Sequence, residues 1–108
     1  MNEIQTALIA AKTLISYPSE WTTFFLARSR EGDDCAPNSP QAVRWCALGA
    51  VDAVARANII KIWDLLAEAA IDMGADEENF KHPAAQINDN HGHAAVMRMY
   101  DRAIQLAE

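Results

Sequence analysis

The amino-acid sequence predicts a mainly α-helical protein, a single compact domain of about four helices with a short β-hairpin between the first two. Three observations lead there. Apolar residues recur three and four positions apart through most of the chain, which is the period of one helix face. Residues that start and stop helices bracket those stretches. Finally, 108 residues that are 51% hydrophobic and 22% charged, with only four Gly and four Pro, suit one domain spanning residues 1–108 and no second. A chain of that length buries roughly two-thirds of its unfolded surface, enough for a core without disulfide or metal staples.

The first helix is expected from about Glu3 to Ser16. Asn2 can cap it, Gln5 completes a capping-box pattern, and Ile4, Ala7, Leu8, Ala11, Leu14 and Ile15 form its buried stripe. Tyr17-Pro18 ends it, because the residue before proline is pushed out of helical conformation. From Trp21 to Cys35, the run Thr22-Thr23-Phe24-Phe25-Leu26 favours strand, and Arg30-Glu31-Gly32-Asp33 favours a turn; together they predict a small hairpin or irregular strand pair.

Ser39-Pro40 marks the next helix start, an N-cap hydroxyl followed by proline at the first helical position, with Val43, Ala47, Ala50, Val51 and Val54 facing inward. Ala57-Asn58 can break this helix, and Ile59, Ile62, Leu65, Leu66, Ala69, Ala70 and Met73 then form a third, closed by Gly74. One uninterrupted helix over 40–73 is the alternative. Residues 76–90 carry His82-Pro83 and no sustained period, and are expected to be mostly loop. The last helix starts at His93, with Val96, Met99, Tyr100, Ala103, Ile104 and Ala107 on one face. Leu8, Ile15, Val51, Leu66, Met99 and Ile104 are the expected core.

Composition narrows the function classes. Nine Lys+Arg against fifteen Asp+Glu give a net charge of -6, which opposes direct binding to a nucleic-acid backbone or to anionic lipid. No apolar run approaches the roughly 20 residues of a membrane span. Met1-Asn2-Glu3-Ile4-Gln5 shows neither the basic nor the apolar region of a secretory signal, so the expected location is cytoplasmic. Cys35 and Cys46, with ten residues between them, fit neither a redox pair nor a zinc knuckle and are expected to be free thiols.

No complete catalytic set is visible, and neither a metal nor a cofactor is implied. Cys46, Gly49, Ala50, Ala53 and Ala57 share one helix side as a strip of small residues against which another backbone can pack. Placed two turns into the helix, Cys46 would gain little from the helix dipole and is read as a core residue. His91-Gly92-His93 has metal-ligand chemistry but unspecific spacing. Asn88-Asp89-Asn90 is expected to cap the last helix, and the same groups, with Arg44, Trp45 and His91, are the candidates for holding a polar ligand between helices.

The order Trp21, Ala27-Arg28, Gly32, then Arg44-Trp45-Cys46-Ala47-Leu48-Gly49-Ala50, then Ile87-Asn88-Asp89, Gly92 and Ala103-Ile104 resembles a family of small uncharacterised bacterial and phage proteins. Its marks are a C-A-x-G-A helix and an N-D turn before the last helix. The resemblance implies a shared fold and supplies no substrate. The leading expectation is a non-enzymatic protein-interaction module with a protein partner or self-association, an accessory or inhibitor protein encoded by a phage or mobile element. The alternatives are a small-molecule- or metal-dependent enzyme built around Asp89, His91 and His93, and an acidic mimic of nucleic acid presenting Asp33, Asp34, Glu77 and Glu78.

Overall fold

A computed structural model describes residues 1–108 as five helices and a two-stranded antiparallel sheet. The first helix, α1 (Glu3–Leu14), begins as its sequence dictates: Asn2 Oδ1 accepts from the Gln5 N–H at 2.8 Å, and the Gln5 side chain accepts from the Asn2 N–H at 3.2 Å. Asn2 and Gln5 also donate to the carbonyls of Ala107 and Ile104, tying the two ends of the chain together. A short 3-10 turn at Pro18–Glu20 follows.

Strands β1 (Ala27–Arg28) and β2 (Arg44–Trp45) pair in the register Ala27↔Trp45 and Arg28↔Arg44. Single bridges extend the pair on both sides, Arg28 to Asp34 and Trp21 to Trp45. The expected reversal at 30–33 is present, with Gly32 at φ 90° and its N–H bonded to the Ser29 carbonyl. The strand that answers β1 is the correction: it comes from Arg44–Trp45, which sequence reasoning placed inside a helix beginning at Pro40. Ser39 and Pro40 lie in a turn, where the Ser39 hydroxyl accepts from the Gln41 N–H. Pairing with β1 wins over the local start signal because it satisfies backbone groups that a half-buried segment could not leave unpaired.

Helix α2 therefore starts seven residues later than the Pro40 signal suggests and spans only Ala47–Val54. Ala55 is extended and Asn58 left-handed (φ 64°), which excludes a continuous helix through this point. Helix α3 (Ile59–Asp72) ends as predicted. Gly74 takes φ 101°, its N–H bonds the Ile71 carbonyl and the Ala75 N–H reaches back to Ala70, a Schellman closure.

A fifth helix is the second correction. Helix α4 (Pro83–Asn90) occupies what reads as loop, with Pro83 at its first position and the His82 ring accepting from the Ala84 N–H at 3.0 Å. It buries Ala84, Ile87 and Asn88. Helix α5 (His93–Leu106) follows Gly92 (φ 89°) with no side-chain cap, so Asn88-Asp89-Asn90 are helical residues and not the caps of the last helix.

The core lies between the five helices, each of which contributes buried side chains to it. Leu8, Ile15, Val51, Leu66 and Met99 are fully buried as expected, joined by Ile62, Ile87, Val96 and Tyr100; Ile104 only packs against the cluster and stays partly exposed. No helix is long and apolar enough to cross a membrane.

Candidate functional site

The N-terminus of α2 organises the site. Three N–H groups at this start, those of Ala47, Gly49 and Ala50, find partners inside the protein, and the first two are among the donors that a helix cannot satisfy with its own carbonyls. Ala47 N–H donates to Asn88 Oδ1 at 2.9 Å, Gly49 N–H to Cys46 Sγ at 3.3 Å, and Ala50 N–H to the Cys46 carbonyl at 2.9 Å. On the other side the Tyr100 hydroxyl donates to the Ala47 carbonyl. Cys46 is thus the N-cap of α2 and does not lie two turns inside a helix. Burial pushes its thiol pKa up, against the opposing hydrogen bonds from Gly49 and Leu48, with the nearby charges of Asp89 and Asp52 adding to the rise. A thiol held in its neutral form is a cap and a core group rather than a nucleophile.

Asn88 is the hub. Its side chain is 1% exposed and uses all of its usual hydrogen-bonding capacity. Oδ1 accepts from Ala47 N–H and from the Trp21 indole N–H (2.7 Å), while Nδ2 donates to the Thr22 carbonyl (3.0 Å) and to Asp89 Oδ1 (2.9 Å). One amide therefore joins α4, α2 and the segment that precedes β1.

Asp89 continues the network outward. Its side chain is 5% exposed; Oδ1 also accepts from the Phe24 N–H at 2.9 Å, and Oδ2 pairs with Lys81 Nζ at 2.8 Å. Burial alone would raise its pKa. The hydrogen bonds from Lys81, Asn88 and Phe24, with the charge of Lys81, outweigh it and leave the carboxyl below its usual range.

What these two side chains hold is the loop of Phe24, Phe25 and Leu26. Phe24 has φ 71°, a left-handed conformation that costs an aromatic residue roughly 1–2 kcal/mol, and the Asp89 bond to its N–H fixes it there. The Phe24 ring projects 66% exposed, with Phe25 and Leu26 beside it at 40% and 37%. Arg28 braces the loop from β1: its guanidinium lies 4.3 Å from the Phe25 ring centroid and donates to Thr22 Oγ1, the Thr23 carbonyl and the Gly32 carbonyl. Lys81 Nζ stands 5.1 Å from the Phe24 centroid.

The strip of small residues on α2 explains how the loop can sit so close. A Cβ built on Gly49 would lie 1.8 Å from the Leu26 carbonyl oxygen, which itself accepts from the Cys46 N–H. Beneath the loop lies a cavity of about 110 Å³ walled by Leu26, Cys46, Leu48, Ala85 and Asp89. A more open groove, about 600 Å³, runs along the other side of the loop past Cys35 and Pro37. A third, about 440 Å³, lies apart, between α1 and the α2–α3 link over Ala7, Ala10 and Val54.

Of the candidates for holding a polar ligand, Trp45, Asn88 and Asp89 belong to this assembly, while Arg44 and His91 do not. Trp45 bridges to Trp21 and donates its indole N–H to the Pro37 carbonyl. Arg44 points to the Ser29 carbonyl at 3.1 Å, bracing the turn. His91 is exposed at the C-terminal end of α4. His93 stacks edge-on with Trp21 and bonds the Ile15 carbonyl, and His82 caps α4, so the three histidines serve separate positions. No group of three or more His, Cys, Asp or Glu side chains is placed to hold a metal ion. Sequence reasoning missed Phe24, Phe25, Leu26 and Lys81; three consecutive apolar residues without helical period are the one signal that pointed to them.

Comparison with known proteins places the whole assembly within one family. The family model for DUF6197, described as a family of unknown function, matches residues 1–106, and the chain belongs to that family. Neither a curated protein nor a solved structure matches it.

Proposed function

We propose that this DUF6197 member is a non-enzymatic protein-interaction module whose contact surface is the Phe24–Leu26 loop. The observation that carries the reading is the conformation of Phe24: a strained, left-handed aromatic residue held two-thirds exposed by a nearly buried carboxylate. Strain of this kind persists only where surrounding structure over-determines it, and it concentrates at working surfaces. Burying an aromatic side chain on a partner returns roughly 1.5–3 kcal/mol, and a loop already fixed in one conformation pays little ordering entropy on binding. The polar groups nearby support the same reading, because Asn88, Asp89 and Arg28 spend their hydrogen bonds on holding the loop in place.

The test is affinity capture with the intact protein against a Phe24→Ser/Phe25→Ser variant, followed by purification of the retained protein and measurement of its Kd. Sedimentation of both forms over a concentration series covers self-association. The expected result is a defined partner, or a dimer, lost at least tenfold in the variant. A partner bound equally by both forms, or no partner and no self-association, overturns the proposal.

A further inference from the structure

Helix α4 carries both anchors of the loop, and its own first turn hangs on a titratable group. His82 Nδ1 accepts the Ala84 N–H at 3.0 Å, which only an imidazole unprotonated at that nitrogen can do. Its ring packs edge-on against Trp63 of α3, with centroids 5.6 Å apart. Six and seven residues further along the same helix, Asn88 and Asp89 hold Ala47, Thr22 and Phe24. The adjacent Lys81 closes the circuit by pairing with Asp89. Gln86 ties the incoming segment to the helix by donating to the carbonyls of Lys81 and Asp76.

We infer that the His82 cap is an acid-sensitive latch for the Phe24–Leu26 loop: protonating the ring removes the acceptor for Ala84, loosens α4, and releases the contacts that Asn88 and Asp89 make with the loop. An imidazolium is a donor only, and it adds a positive charge where a helix N-terminus is already positive. The charged groups around the ring work in both directions. Burial holds the His82 pKa below the ordinary imidazole value; Asp64 on α3 and a backbone hydrogen bond with Trp63 oppose that. Asp52 of α2 is engaged by the Trp63 indole N–H at 3.2 Å, and Lys81 by Asp89. A histidine with a lowered folded-state pKa contributes stability that is present above the unfolded value of about 6.5 and is lost as pH falls through the folded one. The latch therefore opens on the acid side of about pH 6.5. The inference concerns the anchorage of the loop and holds whether or not the loop meets a partner.

The experiment is native-state amide exchange on the full chain by NMR from pH 7.5 to 5, corrected for the intrinsic pH dependence of exchange, beside the ring titration of His82. His82→Asn serves as control, since asparagine keeps a cap acceptor and does not titrate. In the wild-type protein, protection of Ala84 is expected to fall about fivefold, the loss of one cap, with Phe24 following at the same midpoint as the ring. The variant is expected to stay flat. A wild-type Phe24 amide whose protection does not follow the His82 titration overturns the inference, as does a His82→Asn protein with the same acid response. Should the variant fail to fold, the match of midpoints in the wild-type protein decides alone.

Discussion

Replacing Asn88 is the sharpest test of how the loop is held. Asn88→Ala removes an amide that is 1% exposed and strands three groups in its place, the Ala47 N–H, the Trp21 indole N–H and the Thr22 carbonyl. An orphaned buried polar group costs about 1–3 kcal/mol, and some of that is recovered where water reaches it, so the expected loss is about 3–5 kcal/mol. Against a total stability of about 5–15 kcal/mol this is a large share. In a domain of this size it lowers Tm by roughly 12–25 °C. Asn88→Asp separates the roles of the two ends of the amide. It keeps the acceptor for Ala47 and Trp21 but sets a carboxylate against Asp89 and the Thr22 carbonyl, so its penalty should shrink as the pair takes up a proton on acidification, while that of Asn88→Ala should not. Urea unfolding at pH 7 and pH 5 measures both. A cost below about 1 kcal/mol for Asn88→Ala, the worth of a single ordinary hydrogen bond, would refute the hub.

Three further outcomes follow from the same geometry. Gly49→Ala gains up to about 1 kcal/mol of helix propensity but drives a Cβ to 1.8 Å from a backbone oxygen, so a net loss of about 2 kcal/mol or more is expected by urea unfolding, with weakened exchange protection at the Cys46 amide. Asp89 has a depressed folded-state pKa, so its contribution is present above the unfolded value of about 3.9 and disappears as pH falls through the folded one; the stability gap between wild type and Asp89→Asn should close on that acid limb and stay open at neutral pH. Phe24→Gly relieves the left-handed strain, about 1–2 kcal/mol, at the cost of about 0.4–1 kcal/mol of extra unfolded-state entropy. Thermal unfolding should move little or upward while partner capture is lost.

Much of the helical frame was legible because its signals are local. The Asn2–Gln5 capping box, the Gly74 closure and the 3–4 spacing of apolar residues in α1, α3 and α5 each involve neighbours within one or two turns, and the chain obeys them. The small-residue strip around Gly49 was legible for the same reason, as a shape. What would fill it was not, since Leu26 lies 23 residues upstream. The failures share one cause. Pro40 is a sound helix start by itself, but Arg44–Trp45 is claimed by Ala27–Arg28, a pairing that no local window contains. Helix α4 is only eight residues long, its second half is polar apart from Ile87, and its cap is a histidine, outside the usual Ser, Thr, Asp and Asn set.

The candidate site sits where those two failures meet. Moving the start of α2 to Ala47 turns Cys46 from a mid-helix residue into a cap, and making residues 83–90 helical turns Asn88 and Asp89 from caps of the last helix into anchors for the loop before β1. Both changes are driven by backbone groups seeking partners: the carbonyl of Leu26 takes the Cys46 N–H, and the N–H groups of Ala47 and Phe24 take Asn88 and Asp89. A loop tied this way is held by hydrogen bonds at its base, leaving its apolar side chains outside the core. Phe24–Leu26 can therefore stay ordered while exposed, which a loop held by burying its own aromatic rings could not do. Disorder of this loop in solution while the helices remain folded would break that argument at its base, because the Asn88 amide that takes the Ala47 N–H at the start of α2 also holds Thr22 and Asp89, the anchors of the loop.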